Sequence, residues 1–83
     1  VKVLYFAWLR QQVGVDQETV SPPATVKTAD DLIDWLIADS PKHAAAFENR
    51  NSVRIAIDQA FAEPEDSIAG AGEVAFFPPV TGG

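Results

Sequence analysis

Apolar and polar positions fall into runs of two different periods along this chain. From Val1 to Leu9 only Lys2 is charged. Alternation puts Val3, Tyr5 and Ala7 on one face of a strand and Leu4, Phe6 and Trp8 on the other. Both faces are apolar, so the pattern predicts a strand that is central in a sheet or covered by a partner. Gln11 to Asp16 is polar, contains Gly14 and predicts a turn. Gln17 to Val20 predicts a short second strand, stopped by Ser21-Pro22-Pro23, and the two strands make a hairpin.

The period then changes. Ala29, Leu32, Ile33, Leu36 and Ile37 carry the spacing of one buried helical stripe. Thr28-Ala29-Asp30-Asp31 opens this helix as a capping box, and its acids complement the helix dipole. The helix should stop near Asp39, because Pro41 disfavours helical geometry at Ser40. Ser40-Pro41 can cap a second, shorter helix reaching Phe47. Glu48 to Asn51 predicts a turn. Val53, Ile55 and Ile57 alternate with Arg54, Ala56 and Asp58, which predicts a half-buried strand. Gln59 to Ala62 predicts a short strand after a tight turn, Ile68 returns to the core, Gly70 to Gly72 turns, and Glu73 to Phe77 is the last strand.

The predicted order is β-β-α-α-β-β-β, an α+β layer of helix on sheet. In one small sheet the first and last strands, each apolar on both faces, are expected side by side at the centre.

Composition narrows the chemistry. The 83 residues make one small domain with a modest core. Net charge is −6, which opposes nucleic-acid binding. There is no cysteine, so disulfides, thiolate nucleophiles and zinc–thiolate sites are excluded. No apolar run is long enough for a membrane helix, and no charged-plus-apolar leader with a cleavage site is expected from the residues. The chain opens without Met, so a processed start is expected, and the cytoplasm is the expected location. The one histidine, His43, is expected to face solvent on the second helix, and alone it makes no metal site. Asp58, Glu63, Glu65 and Asp66 read as a solvated loop or docking surface rather than a catalytic pair. Gly70-Ala71-Gly72 precedes a strand rather than a helix and lacks the anion-binding mechanism.

Two features remain. Phe6, Trp8, Phe61 and Phe77 either lie under the second helix or form an exposed aromatic patch, which marks an interaction site. The chain also ends Phe76-Phe77-Pro78-Pro79-Val80-Thr81-Gly82-Gly83. Terminal glycines give a fold nothing to pack. Pro78 and Pro79 hold an extended geometry, and six residues reach roughly 20 Å. Such an end can enter a narrow active site on another protein. The expected division is a domain over 1–77 and a flexible tail over 78–83.

The stretch Val74 to Gly83 resembles the C-terminus of the molybdopterin synthase small-subunit family. Lys2-Val3-Leu4-Tyr5-Phe6-Ala7 with Leu9-Arg10 is similar to that family's first strand. Ala56-Ile57-Asp58-Gln59 resembles its short turn, with Asp58 where Asn is usual. Gly70-Ala71-Gly72 departs from its common Asp-Gly-Asp. The resemblance covers the whole chain and implies a ubiquitin-like β-grasp fold: a mixed sheet of four to five strands on one main helix plus a short second helix. It implies a sulfur carrier that is not itself catalytic and binds no cofactor. In that family an activating enzyme uses ATP to adenylate the terminal glycine carboxylate, which becomes a thiocarboxylate. The carrier docks on a large catalytic subunit, two of each forming a heterotetramer. There it gives sulfur to cyclic pyranopterin monophosphate during molybdenum cofactor biosynthesis. On this chain the resemblance maps the working end onto Gly82 and Gly83. It maps the partner-binding residues onto Phe6, Phe61, Phe77, Pro78, Pro79, Val80 and Thr81. Related Gly-Gly carriers for thiamine, tRNA thiolation or protein conjugation stay open as alternatives, as does a β-grasp interaction module that is never activated.

Overall fold

The computed structural model describes residues 1–79. The first strand, β1, spans Lys2–Tyr5 and is followed by a helix, α1, at Trp8–Val13. Strand β2 spans Gln17–Thr19, helix α2 Ala29–Asp39 and helix α3 Pro41–Ala46. After a single 3-10 turn at Arg50–Ser52 come β3 (Arg54–Ile57), β4 (Ala60–Ala62) and β5 (Glu73–Phe77).

The sheet order is β2-β1-β5-β3-β4. Strands β1 and β5 run parallel, and every other pairing is antiparallel. The first and last strands are thus neighbours inside the sheet, as their two-sided apolarity predicts. Five strands, one long helix and the parallel pairing of the chain's two ends make this a ubiquitin-like β-grasp fold.

The helix boundaries follow from the sequence. Thr28 Oγ1 accepts the N–H of Asp31 at 3.1 Å, and the Asp31 carboxylate accepts the N–H of Thr28 at 3.2 Å. This is the reciprocal box that satisfies two end donors of α2. Ala29, Leu32, Ile33 and Leu36 are buried on one face, and Ile37 is half-buried at its border. Ser40 ends α2 in extended geometry and caps α3, with Pro41 at its first position.

One helix departs from the expectation. The apolar run does not continue as a strand to Leu9, and Gln11–Asp16 is not simply a turn. The chain reverses at Ala7, where φ is 54°, and α1 begins one residue later. Leu9 and Val13, four residues apart, bury against the core. Gly14, at φ 94°, ends the helix in the left-handed conformation and donates its N–H to the Arg10 carbonyl. So β1 and β2 do pair antiparallel, but a helix rather than a tight turn joins them.

The core lies between the helices and one face of the sheet. Val3, Tyr5, Val74, Phe76 and Ile55 face it from the strands. The rings of Phe47 and Phe76 meet edge to face, with centroids 5.0 Å apart.

Candidate functional site: the bare face of the sheet

Strand pleating sends alternate residues away from the core, and among the described residues no helix covers that second face. Leu4 of β1 is paired with Ala75 of β5, Ala75 with Ala56 of β3, and Ala56 with Phe61 of β4. This cross-strand row has two small residues at its centre. The result is a shallow apolar depression of about 260 Å³. Ala56 and Ala75 form its floor, and Leu4, Phe6, Phe61 and Phe77 line it.

The rings on this face stay exposed. Phe61 is 80% accessible and Phe6 46%. The Phe61 and Phe77 rings lie against each other, with centroids 5.8 Å apart. The second helix, α3, packs on the opposite side of the sheet and covers none of them. Three residues far apart in sequence, Phe6, Phe61 and Phe77, are therefore brought to one patch.

Trp8 is not among them. It belongs to α1, packs partly buried against the core and donates its indole N–H to the Ala46 carbonyl at 3.3 Å. The helical turn after Ala7 rotates it off the strand face on which alternation would have placed it.

Phe77 is the last residue of β5, so the depression adjoins the point where the chain leaves the sheet. Pro78 is half-buried and Pro79 exposed. Val80, Thr81, Gly82 and Gly83 lie outside the described residues.

The short loop between β3 and β4 supports the same face. Ile57 pairs with Ala60, leaving Asp58 and Gln59 as a two-residue connection with φ of 48° and 71°. Asp58 Oδ1 accepts the backbone N–H groups of Gly72 and Glu73, each at 3.0 Å. Asp58, though exposed, thereby fastens the hairpin turn to the start of β5.

His43 corrects a second expectation. It is buried, 7% accessible, rather than facing solvent. Its Nε2 lies 2.7 Å from Glu18 Oε2, and its Nδ1 lies 2.6 Å from Ser40 Oγ. Tyr5 donates its hydroxyl to the same Glu18 oxygen at 2.6 Å. Burial pushes the Tyr5 phenol far up, and the bond to Glu18 and the charges of Glu18 and Asp39 add to that. For Glu18, burial acts upward, but hydrogen bonds from Tyr5 and His43 and the electrostatic attraction of the neighbouring His43 outweigh it and hold the carboxyl low. This network joins β1, β2 and α3 on the core side of the sheet, away from the bare face. Glu18 on β2 lies 25 residues from His43 in the chain, a separation that leaves no periodic trace in the sequence; only the lone histidine among alanines hinted at a buried imidazole.

A sequence profile of the ThiS family matches residues 3–83. The molybdopterin synthase sulfur carrier subunit of Escherichia coli is 37% identical over 83 residues, spanning all of this chain and 99% of that one. The human subunit of the same name is 33% identical over 86 residues, spanning all of this chain and 93% of its own. Among solved structures, a putative molybdopterin converting factor subunit 1 from Pyrococcus furiosus superposes with a TM-score of 0.75 at 28% identity, covering 95% of each chain. SAMP1 from Haloferax volcanii gives a TM-score of 0.72 at 25% identity, covering 99% of this chain and 97% of its own. The chain belongs to the ThiS family of sulfur carriers.

Proposed function

We propose that this chain is the sulfur-carrying small subunit of a molybdopterin synthase and that Gly83 is its working end. The carboxylate of Gly83 attacks the α-phosphate of ATP on an activating enzyme, and pyrophosphate leaves. A sulfur nucleophile then displaces AMP from the acyl-adenylate and leaves a thiocarboxylate. Adenylation is needed because a carboxylate is a poor electrophile. The carrier docks on the large catalytic subunit, two of each assembling together, and its tail presents sulfur to cyclic pyranopterin monophosphate. Two deliveries make the dithiolene. Tethering makes each transfer close to unimolecular once the domain is docked. The setting is the cytoplasm.

The observation that carries this reading is the position of the apolar depression. Phe6, Phe61 and Phe77 form a docking face that ends where β5 releases the chain towards Pro78 and Pro79. A protein seated on this face lies within reach of residues 80–83, since each residue spans up to about 3.5 Å. Glycines at 82 and 83 pass a slot that any side chain would block.

Intact-mass measurement of the protein from cells making the cofactor tests the chemistry. A species with one terminal oxygen replaced by sulfur at Gly83 is expected. Its absence under those conditions overturns the carrier reading.

A further inference from the structure

The described residues contain three non-glycine positions with positive φ: Ala7, Asp58 and Gln59. Gln59 lines the bare face, and Ala7 and Asp58 are chain neighbours of its lining residues Phe6 and Gln59. Ala7 follows Phe6, and Asp58 and Gln59 connect β3 to β4 beside Phe61. Backbone strain held by the surrounding structure concentrates at functional sites. A two-residue hairpin connection with both residues at positive φ is ordinarily filled by Asn-Gly or Asp-Gly. Here the second place is taken by glutamine, at φ 71°, where glycine would sit without strain.

The glutamine does nothing visible for the free fold. It is exposed, and its carboxamide makes no hydrogen bond among the described residues. Asp58 supplies the bonds that fasten the turn. What the Gln59 side chain does is line the depression, where among the described residues it and Glu73 are the only polar members of an otherwise apolar set. An apolar interface centre with polar groups at its rim is the ordinary anatomy of a protein contact. A carboxamide offers both a donor and an acceptor to a facing peptide group.

We propose that Gln59 is a specificity-determining contact of the docking face, its carboxamide hydrogen-bonded to a polar group of the large synthase subunit. The turn accepts the strain of a left-handed glutamine in order to present that group at the rim. This rests on the docking reading above, and the test separates the two.

The experiment is calorimetric titration of the large subunit with the full-length carrier and its Gln59→Gly, Gln59→Asn and Phe77→Arg variants, together with thermal unfolding of each. Glycine and asparagine both tolerate the left-handed region, so neither breaks the turn. Gln59→Gly should unfold at the parent temperature or up to about 8 °C above it, yet bind about tenfold more weakly. Gln59→Asn, whose amide is one methylene short, should also weaken binding. Binding of Gln59→Gly within threefold of the parent overturns the inference, as does a lowered unfolding midpoint, which would place the glutamine in the service of the fold. If Phe77→Arg also binds normally, the docking reading itself falls. If Phe77→Arg fails to bind while Gln59→Gly binds normally, only the role of Gln59 is lost.

Discussion

Nε2 of His43 lies 2.7 Å from Oε2 of Glu18, and this one contact fastens helix α3 to the edge strand β2. The same oxygen receives the hydroxyl of the buried Tyr5. A carboxylate can only accept, so it satisfies two buried donors at once. Removing it leaves the Tyr5 hydroxyl without a partner on the core side of the sheet.

The pH dependence of stability follows. Glu18 titrates below its ordinary value of 4.5 in the folded chain. A depressed carboxyl contributes stability that is present above its unfolded value and is lost as pH falls through the folded one. Glu18→Gln should therefore be destabilised at neutral pH by about 1–2 kcal/mol. It should also lose less stability than the parent between about pH 5 and pH 3. Urea midpoints of both proteins across that range check this. Parallel curves would show that Glu18 does not carry the acid dependence.

Asp58 makes a prediction that separates its shape from its charge. Its Oδ1 receives two backbone N–H groups. Asparagine keeps that oxygen and tolerates positive φ, so Asp58→Asn should unfold within about 0.5 kcal/mol of the parent. Asp58→Ala removes the acceptor and places alanine at φ 48°, and should cost about 2 kcal/mol. Amide exchange at Gly72 and Glu73 should accelerate in the alanine variant alone. Equal protection in both variants would remove Asp58 from its fastening role.

The legible part of the fold was the part with strong periodicity and local chemistry. The stripe from Ala29 to Leu36, the Thr28 box, the Ser40-Pro41 start and the last strand all stand where the pattern places them. Helix α1 was hidden because its apolar residues, Trp8, Leu9 and Val13, continue a run that begins as strand. The break falls at Ala7, whose positive φ no glycine announced. The aromatic face was half legible. Alternation marks Phe6 as pointing off the core, but it marks Trp8 the same way, and only the α1 turn separates them. His43 was misread because its partners, Glu18 and Tyr5, come from another part of the chain, and no single-sequence spacing joins them.

The proposed docking face should cost little to alter in the free domain and much in the complex. Phe61 is four-fifths exposed, so Phe61→Ala should shift the unfolding free energy by less than about 0.5 kcal/mol. Aromatic anchors that become buried on association are typically worth about 2 kcal/mol or more each. Phe61→Ala should therefore weaken association with the large subunit about thirtyfold. Phe77→Arg puts a charge into the apolar depression and should abolish association at micromolar concentrations. Equilibrium titration with the purified large subunit checks both. Unchanged affinity in either variant would remove that ring from the interface.

The terminal glycine makes the sharpest separation between folding and function. Among the described residues the last fully buried one is Phe76, seven positions before Gly83. Glycine has no side chain to pack, so deleting Gly83 should leave the thermal midpoint within about 1 °C of the parent. The new carboxylate would sit on Gly82, about 3.5 Å short of its former reach. Productive transfer needs reacting atoms about 3–3.5 Å apart, and misplacement by even 1 Å can cost about 100-fold. The truncated carrier should still bind the large subunit through Phe6, Phe61 and Phe77, yet give sulfur transfer at least about 100-fold slower. Gly83→Ala should fall between the two, because its carboxylate keeps the right reach and only the added Cβ meets the slot. Single-turnover assays with activating enzyme, sulfide, large subunit and substrate measure all three. A normal rate in the Gly83 deletion would place the chemistry elsewhere and sink the tail mechanism while leaving the docking face intact.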